Sequence, residues 1–210
     1  MGVLEEINEL LQKGKAGDVK TLVQKAIDEK IAVKQILEKG LMAGMNIIGE
    51  KFKNNEVYVP EVLIAARAMN AGIGILKPLL VQEGIQAKGT VVLGTVKGDL
   101  HDIGKNLVKM MMEGQGLEVI DMGTDVSADS FVNTAIEKNA KIIACSALLT
   151  TTMTEMKSVI DKAKEKGIRG KVTIMVGGAP VTDSFCQSIG ADIYAADAAS
   201  AAEKAVAALG

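Results

Sequence analysis

The only histidine of the chain, His101, lies in a short polar segment that follows an apolar run. Asp99 lies two residues before His101, Asp102 follows it directly, and Gly104 lies three residues after it. A carboxylate beside an imidazole can accept the proton of one ring nitrogen, which makes the other nitrogen a better donor to a metal. Because one histidine cannot hold a bare metal ion, the metal would have to arrive inside a macrocycle that leaves an axial position free. The pattern therefore predicts an axial ligand to a metal that is already coordinated.

Two further groups of unusual residues follow later apolar runs. Residues 146–152 contain a serine and three consecutive threonines, and residues 177–180 contain a glycine pair and a proline. The hydroxyls could simply cap the next helix, and the glycine pair could be an ordinary turn. If the apolar runs are parallel strands, however, their carboxyl ends meet at one edge of a sheet, where ligands bind. We therefore predict a ligand site that combines these segments with the His101 segment.

Short apolar runs alternate with amphipathic segments from residue 90 onward. The runs cover residues 90–95, 117–122, 141–146, 171–176 and 192–195, and the amphipathic segments lie near residues 104–115, 127–138, 152–166, 181–189 and 197–208. Strict alternation is typical of a parallel sheet that is covered by helices on both faces. We expect the flavodoxin-like strand order 2-1-3-4-5, which places the switch point between the first and third strands. The His101 segment would then lie at that switch point.

The N-terminal part of the chain reads as helical throughout. Apolar residues spaced by three and four predict one helix near residues 4–11 and a second that begins at an N-cap on Asp18. A third helix is expected over residues 32–52, and Pro60 fits the first turn of a fourth helix. Four helices joined by short connections predict an antiparallel bundle.

The polar, glycine-containing segment 84–89 separates these two patterns. We predict that it links a helical bundle cap domain, residues 1–83, to an α/β domain, residues 90–210.

The composition limits the classes of function. With 48% hydrophobic and 24% charged residues the chain has ample material for packed cores, and its formal net charge of −2 argues against a nucleic-acid partner. The N-terminus lacks the features of a secretory signal, and no later stretch is expected to approach the length of a membrane span. We therefore expect a cytoplasmic protein without a membrane partner. Cys145 and Cys186 are too few for a disulfide framework and are predicted to be reduced core residues.

Three sequence motifs of cobalamin-binding domains occur in this chain in the expected order. They are a D-x-H-x-x-G motif, an S-x-L element and a G-G element, carried here by Asp99, His101, Gly104, Ser146, Leu148, Gly177 and Gly178. Together with the preceding helices they make nearly the whole chain resemble the corrinoid proteins of methyltransferase systems and the cobalamin module of methionine synthase. The resemblance implies a four-helix bundle followed by a five-stranded parallel, flavodoxin-like (Rossmann-type) cobalamin-binding domain.

The resemblance also implies roles for the matching residues. His101 would be the lower axial ligand of cobalt, in place of the cofactor's own benzimidazole, with Asp99 as its partner. Thr152 would continue this relay where methionine synthase has a serine, although its extra methyl group could alter the geometry. Ser146 and Thr150 would contact the displaced nucleotide tail of the cofactor, and the glycine pair would leave room for that tail. The expected cofactor-binding residues are Gly98, Asp99, His101, Asp102, Ile103, Gly104, Ser146, Leu148, Thr150, Thr152, Gly177, Gly178 and Ala179.

By the same resemblance the chain is expected to be a non-catalytic methyl carrier whose cofactor is cobalamin, alternating between cob(I)alamin and methylcobalamin. A donor:corrinoid methyltransferase would place a methyl group on cobalt(I). A second methyltransferase, with tetrahydrofolate as the expected acceptor, would remove the methyl group from methyl-cobalt(III). A reductive activating protein would be a further partner, and a methyl ether or a similar simple methyl compound is the expected donor.

Three alternatives share the fold class. A cobalamin-dependent sensor or regulator is disfavoured because the N-terminal helices contain no basic recognition helix and no tryptophan. The small subunit of an adenosylcobalamin mutase is disfavoured by the helical bundle. A flavin electron carrier would need hydroxyl-rich phosphate contacts in its first loop, and residues 98–104 supply none.

Overall fold

The computed structural model describes residues 2–210, which divide into two compact units. The helical unit extends to Ala87 and also includes Gly114–Gly116, while the α/β unit comprises Lys88–Glu113 and Leu117–Gly210. The division after Ala87 falls inside the predicted linker 84–89. The sequence pattern did not predict that Gly114–Gly116 would group with the helical unit.

The helical unit is built from helices that pack against one another through apolar faces. Its helices are α1 (Val3–Gln12), α2 (Ala16–Asp28), α3 (Val33–Gln35), α4 (Ala43–Lys53) and α5 (Val59–Gln82). Helix α1 packs against α2 and α4, and α2 packs against α5. A stretch of π-helix, Ile36–Met42, joins α3 to α4, so the predicted third helix is one helical segment with a wider middle turn.

The predicted start of the second helix was wrong. Helix α2 begins at Ala16, after Lys15, and Asp18 lies exposed within its first turn instead of at the N-cap. A carboxylate in the first turn still interacts favourably with the positive end of the helix dipole, which explains why Asp18 looked like a start signal.

The expectation that no stretch approaches the length of a membrane span was also wrong. Helix α5 has 24 residues and contains an 18-residue stretch with a mean hydropathy of 1.4, so it is long and apolar enough to cross a membrane by length and composition alone. Its buried face includes Val62, Met69 and Leu76, and it contacts α2 and α4. A core helix of a bundle passes the same test, and the contacts of α5 fit that role.

The α/β unit contains, across the described residues, a five-stranded parallel sheet in the order β2-β1-β3-β4-β5. Its strands are β1 (Thr90–Thr95), β2 (Glu118–Asp121), β3 (Ile142–Ser146), β4 (Thr173–Gly177) and β5 (Ile193–Ala195). The helices that follow them are α6 (Ile103–Gly114), α7 (Ala128–Glu137), α8 (Thr154–Glu165), α9 (Asp183–Ile189) and α10 (Ala198–Ala207). The predicted strand order and the predicted alternation of strands and helices are confirmed.

The apolar runs form strands because their side chains are buried on the sheet faces. Ile143 and Ile174 are fully buried, and they belong to a core cluster with Phe131 of α7 and Ile160 of α8. Burial of apolar surface of this kind stabilises the fold by roughly 25 cal/mol per Å². The sheet thus provides a rigid base from which the loops at its carboxyl edge project.

Candidate functional site

The register of the sheet brings the predicted site segments to one edge. Thr95 of β1 pairs with Ser146 of β3, Ser146 pairs with Gly177 of β4, and Gly177 pairs with Ala195 of β5. The loops that follow β1, β3 and β4 therefore start side by side at the carboxyl ends of their strands, where parallel sheets bind ligands.

The carboxylate of Asp99 is fully buried and joins the first two of these loops. Its Oδ1 accepts a hydrogen bond from the backbone N–H of His101 at 3.1 Å and lies 2.7 Å from the Nδ1 atom of the His101 ring. Its Oδ2 accepts hydrogen bonds from the backbone N–H groups of Leu148, at 2.8 Å, and Leu149, at 3.1 Å. The hydroxyl of Thr152 donates to the same oxygen at 2.8 Å. One side chain thus connects the histidine to a loop about fifty residues away in the sequence.

The surroundings of Asp99 keep it ionised. Burial alone raises the pKa of this carboxyl, but hydrogen bonds from His101, Leu148 and Thr152 outweigh burial and hold the pKa well below its usual range. An ionised carboxylate accepts a hydrogen bond from the N–H at Nδ1 of the imidazole. The proton therefore stays on Nδ1, and Nε2 carries the lone pair. Because the side chain of His101 is 51% exposed, its ring can present that nitrogen to a bound group.

Thr152 retains the hydroxyl contact despite its extra methyl group. Its side chain is buried, and the hydroxyl lies 2.8 Å from Asp99 Oδ2 and 2.9 Å from the backbone oxygen of Leu149. The methyl carbon of Thr152 lies beside Gly98. Even a β-carbon added to Gly98 would be 3.5 Å from this methyl carbon, which is ordinary van der Waals contact. The methyl group is therefore accommodated beside the His101 loop.

The remaining predicted residues of the first loop surround the start of α6. The carboxylate of Asp102 accepts a hydrogen bond from the Asn106 side chain at 3.1 Å, and its backbone oxygen accepts one from the Asn106 N–H at 2.7 Å. Asp102, which directly precedes α6, is thus hydrogen-bonded to Asn106 of that helix through both its side chain and its backbone. Ile103 is 76% exposed, and a β-carbon on Gly104 would have no heavy atom within 4 Å. The surface at Gly104 is therefore open.

The glycine pair at the end of β4 is favoured by crowding of the protein backbone itself. A β-carbon on Gly177 would lie 3.0 Å from the backbone oxygen of Ala195, and one on Gly178 would overlap the backbone oxygen of Ala147. Gly178 also has a φ of +130°, which L side chains rarely adopt. Close packing between neighbouring strand ends thus explains both glycines, whatever role they have toward a ligand. Of the other residues predicted in these loops, Thr150 and Ala179 are exposed.

Several residues that support the site were missed by the sequence reading. Thr95 is buried and its hydroxyl donates to the backbone oxygen of His101 at 2.8 Å. Lys105 is only 2% exposed, and its ammonium lies 2.5 Å from Asp121 Oδ1 and 2.7 Å from the side-chain oxygen of Asn106. The sequence offered one signal for this pair. Lys105 directly follows Gly104 and Asp121 lies in the apolar run 117–122, and a buried lysine needs a carboxylate partner.

The donor set at this edge fits a metal that is supplied inside a macrocycle. One imidazole nitrogen is free for coordination, and within residues 2–210 no group of three or more His, Cys, Asp or Glu side chains could hold a metal ion. The two loops that Asp99 joins and the first residue of α6 also expose large apolar side chains, which is unusual around a polar site and suits an apolar ring face. These side chains are Leu100, Ile103, Leu148 and Leu149.

Comparison with known proteins decides which macrocycle this is. A family model described as a B12 binding domain matches residues 89–209, and a second model with the same description matches residues 3–77. The dimethylamine corrinoid protein of Methanosarcina barkeri is 45% identical over 204 residues, which cover 97% of this chain and 95% of the relative. A corrinoid protein of Desulfitobacterium hafniense is 41% identical over 208 residues, which cover 98% and 96%. The chain is a B12-binding corrinoid protein of methyltransferase systems.

Solved structures agree with this assignment. The corrinoid protein matches a chain of the methanol:cobalamin methyltransferase complex of Methanosarcina barkeri with a TM-score of 0.88 and 31% identity, over 99% of this chain and 79% of that one. It matches a cobalamin-binding protein of Desulfitobacterium hafniense with a TM-score of 0.83 and 30% identity, over 99% and 98% of the two chains. The predicted family, fold class and cobalamin-type cofactor are thus confirmed.

Proposed function

We propose that this corrinoid protein is a methyl carrier that works between two methyltransferases. A donor-specific methyltransferase loads the methyl group, and a second methyltransferase passes it to an acceptor, for which tetrahydrofolate is our candidate. When bound, the corrinoid supplies a cobalt centre that takes up a methyl group and releases it again. The observation that best supports the proposal is the half-exposed imidazole of His101, whose Nδ1 faces the buried Asp99 carboxylate at 2.7 Å.

In this proposal the protein offers the cobalt one nitrogen ligand, Nε2 of His101, and the imidazole can also move away from the cobalt. Asp99 is fixed by the backbone N–H groups of Leu148 and Leu149 and by the Thr152 hydroxyl, so it stays in place when the exposed ring moves. The carboxylate holds the Nδ1 proton and keeps Nε2 of His101 as the donor. His101 would thus be the lower axial ligand of cobalt, as the resemblance implies.

The other predicted residues have supporting roles in the proposal. The exposed side chains of Leu100, Ile103, Leu148 and Leu149 would lie against the corrinoid and exclude water from the His101 contact. Ser146, Thr150, the glycine pair and Ala179 would line the pocket for the nucleotide tail.

The methyl donor is selected by the partner enzyme in this scheme. Relatives named as dimethylamine and trimethylamine corrinoid proteins are 45% and 47% identical to this chain. A methylamine is therefore a donor to test beside the methyl ether that the sequence favours. We further propose a cytoplasmic location and a reductive activating protein that restores the reduced cobalt.

Reconstitution tests the proposal. Purified chain that has been loaded with hydroxocobalamin and reduced is incubated with candidate donor methyltransferases and with methanol, dimethylamine, trimethylamine or an aryl methyl ether. Absorption spectra follow methylation of the corrinoid, and tetrahydrofolate is then added with an acceptor methyltransferase. Methylation by one donor system and demethylation by the acceptor system are expected, whereas a chain that binds the corrinoid but exchanges methyl groups with no partner would contradict the carrier function.

A further inference from the structure

Asp125 connects the loop after β2 to the His101 loop in both directions. Its Oδ1 accepts a hydrogen bond from the backbone N–H of Gly98 at 2.7 Å, and its own N–H donates to the backbone oxygen of Asp99 at 3.0 Å. Asp125 also has a φ of +55°, a left-handed conformation that is uncommon outside glycine but is tolerated by aspartate and asparagine. The residue thus holds a strained backbone conformation next to the site, although no sequence motif pointed to it.

The turn that contains Gly98 needs this contact. The N–H of Asp99 donates to the backbone oxygen of Val96 at 3.2 Å, which closes a four-residue turn, and Gly98 at its third position has a φ of +79°. This is the conformation of a type II turn. The N–H of the third residue takes no part in closing such a turn, so it needs an acceptor elsewhere. The Asp125 carboxylate is that acceptor.

The contact continues the pairing of β1 and β2 beyond the ends of both strands. The N–H of Thr95 donates to the backbone oxygen of Gly123 at 2.9 Å, and the N–H of Val126 donates to the backbone oxygen of Thr95 at 3.0 Å. Asp125 then extends this ladder to Gly98 and Asp99. The backbone leading to His101 is therefore held from the β2 side by Asp125, while the Asp99 carboxylate holds it from the β3 side.

We propose that Asp125 is a positioning residue for the axial histidine. Its carboxylate fixes the Gly98 turn, and the fixed turn keeps the imidazole of His101 where it meets the corrinoid. This inference rests on His101 being the axial ligand, as proposed above. The effect of Asp125 is exerted through the backbone and not through a contact with the imidazole.

Three substitutions at this position separate the hydrogen bond from the backbone strain. Asp125→Asn keeps a side-chain acceptor and tolerates the positive φ. Asp125→Gly adopts the positive φ freely but removes the acceptor, and Asp125→Ala removes the acceptor and strains the backbone. Thr124→Gly is the matched control, because it adds backbone freedom to the same loop without removing the acceptor.

The readout is the ratio of histidine-ligated to histidine-free corrinoid, taken from the absorption spectrum of the chain loaded with cobalamin. A lost hydrogen bond to a charged acceptor corresponds to a roughly tenfold change in an equilibrium constant. We expect Asp125→Gly to lower the ratio roughly tenfold and Asp125→Asn to stay within about twofold of the wild type. Asp125→Ala should lower the ratio and also the melting temperature of the unloaded chain. In the unloaded chain, the amide hydrogen of Gly98 should exchange faster in Asp125→Gly than in the wild type.

Other results would overturn the inference. It fails if Asp125→Gly keeps the wild-type ratio, if Asp125→Asn falls as far as Asp125→Gly, or if Thr124→Gly has the same effect. The Gly98 exchange measurement decides the matter if a variant binds no corrinoid, since unchanged exchange also contradicts the contact. His101→Ala is measured alongside: if its spectrum equals that of the wild type, the axial assignment itself fails, whatever the Asp125 variants show.

Discussion

At the residue scale the site depends on Asp99 more than on any neighbouring side chain. The spacing predicted that a carboxylate lies near the His101 ring, and the resemblance to cobalamin-binding domains assigned that role to Asp99, which the structure places 2.7 Å from Nδ1. The sequence could not predict that the backbone N–H groups of Leu148 and Leu149 bind the same carboxylate. Those contacts exist only because β3 lies beside β1 in the sheet.

Removal of the Asp99 carboxylate should destabilise the chain even without a cofactor. Asp99→Ala removes the acceptor of the backbone N–H groups of Leu148 and Leu149, and each lost hydrogen bond is to a charged group, so we expect a loss of about 3 kcal/mol in the free energy of unfolding. Urea unfolding of the unloaded protein measures this loss. Asp129→Ala removes an exposed carboxylate in the first turn of α7 that pairs with Lys162, and it should change the free energy by less than about 1 kcal/mol. Equal stability of the two variants would show that the Asp99 contacts contribute little.

Gly104 offers a test of where the cofactor lies. It is the second residue of α6, and a β-carbon there meets no heavy atom within 4 Å. Gly104→Ala should therefore stabilise the unloaded chain by about 0.5–1 kcal/mol through helix propensity, yet weaken corrinoid binding if the cofactor covers this surface.

The matched control for this variant is Gly17→Ala. Gly17 is the second residue of α2, and a β-carbon at this position would likewise have no heavy atom within 4 Å. The substitution should give a similar gain in the unfolding free energy and leave the corrinoid dissociation constant unchanged. If both variants bind the corrinoid as the wild type does, the surface at Gly104 does not contact the cofactor.

At the element scale the site is placed by the ends of strands and the starts of helices. The alternation of apolar runs and helical patterns was enough to predict a parallel sheet with helices on both faces. It did not fix the strand order, which was expected because 2-1-3-4-5 is a common order for a sheet of this size. The π-helical segment Ile36–Met42 had no such signal, since its apolar spacing resembles that of an α-helix. The ion pair of Lys105 with Asp121 was likewise hidden, because it joins the start of α6 to the end of β2 only in the folded sheet.

This ion pair makes the stability of the α/β unit depend on pH. Burial raises the pKa of Asp121, but hydrogen bonds from Lys105 and from the Gly123 N–H, with the charges of Lys105 and Lys109, lower it overall. The unfolded chain therefore binds a proton at a higher pH than the folded chain. The pair stabilises the fold above the ordinary aspartate pKa of 3.8, and this contribution is lost as the pH falls below that value toward the folded pKa.

Asp121→Asn should remove this dependence and leave the buried ammonium of Lys105 without a carboxylate. We expect a loss of about 3–5 kcal/mol at neutral pH and a smaller decline in stability on acidification than in the wild type. Urea unfolding at several pH values from neutral to acidic measures both. Lys109→Met is the control, because Lys109 lies 3.5 Å from Asp121 and is partly exposed, so its loss should cost less than about 1 kcal/mol. If the stability of Asp121→Asn depends on pH as that of the wild type does, the Lys105–Asp121 ion pair is not a source of the pH dependence.

At the scale of the whole molecule, the sequence motifs predicted the family, and the comparisons confirmed it. The motifs succeed because few residue types are possible at positions such as His101, where the chemistry requires an imidazole, and Gly178, where the backbone leaves no room for a side chain. Such positions can be recognised in the sequence. Helix α5 shows the opposite case, since the sequence pattern did not reveal that it is long and apolar enough to cross a membrane by length and composition. Asp125 was missed for a related reason, because its role arises from a turn in a different loop.

The central claim is that His101 supplies the axial nitrogen to the cobalt. Because the chain contains a single histidine, growth with ¹⁵N-labelled histidine labels this imidazole alone. The most direct measurement is the electron paramagnetic resonance spectrum of the protein loaded with cob(II)alamin, in which an axial nitrogen splits each cobalt line. Ligation by His101 predicts that the threefold splitting from ¹⁴N becomes twofold in the labelled protein. A threefold splitting that persists after labelling would show that the cofactor's own base is the ligand and would contradict the claim.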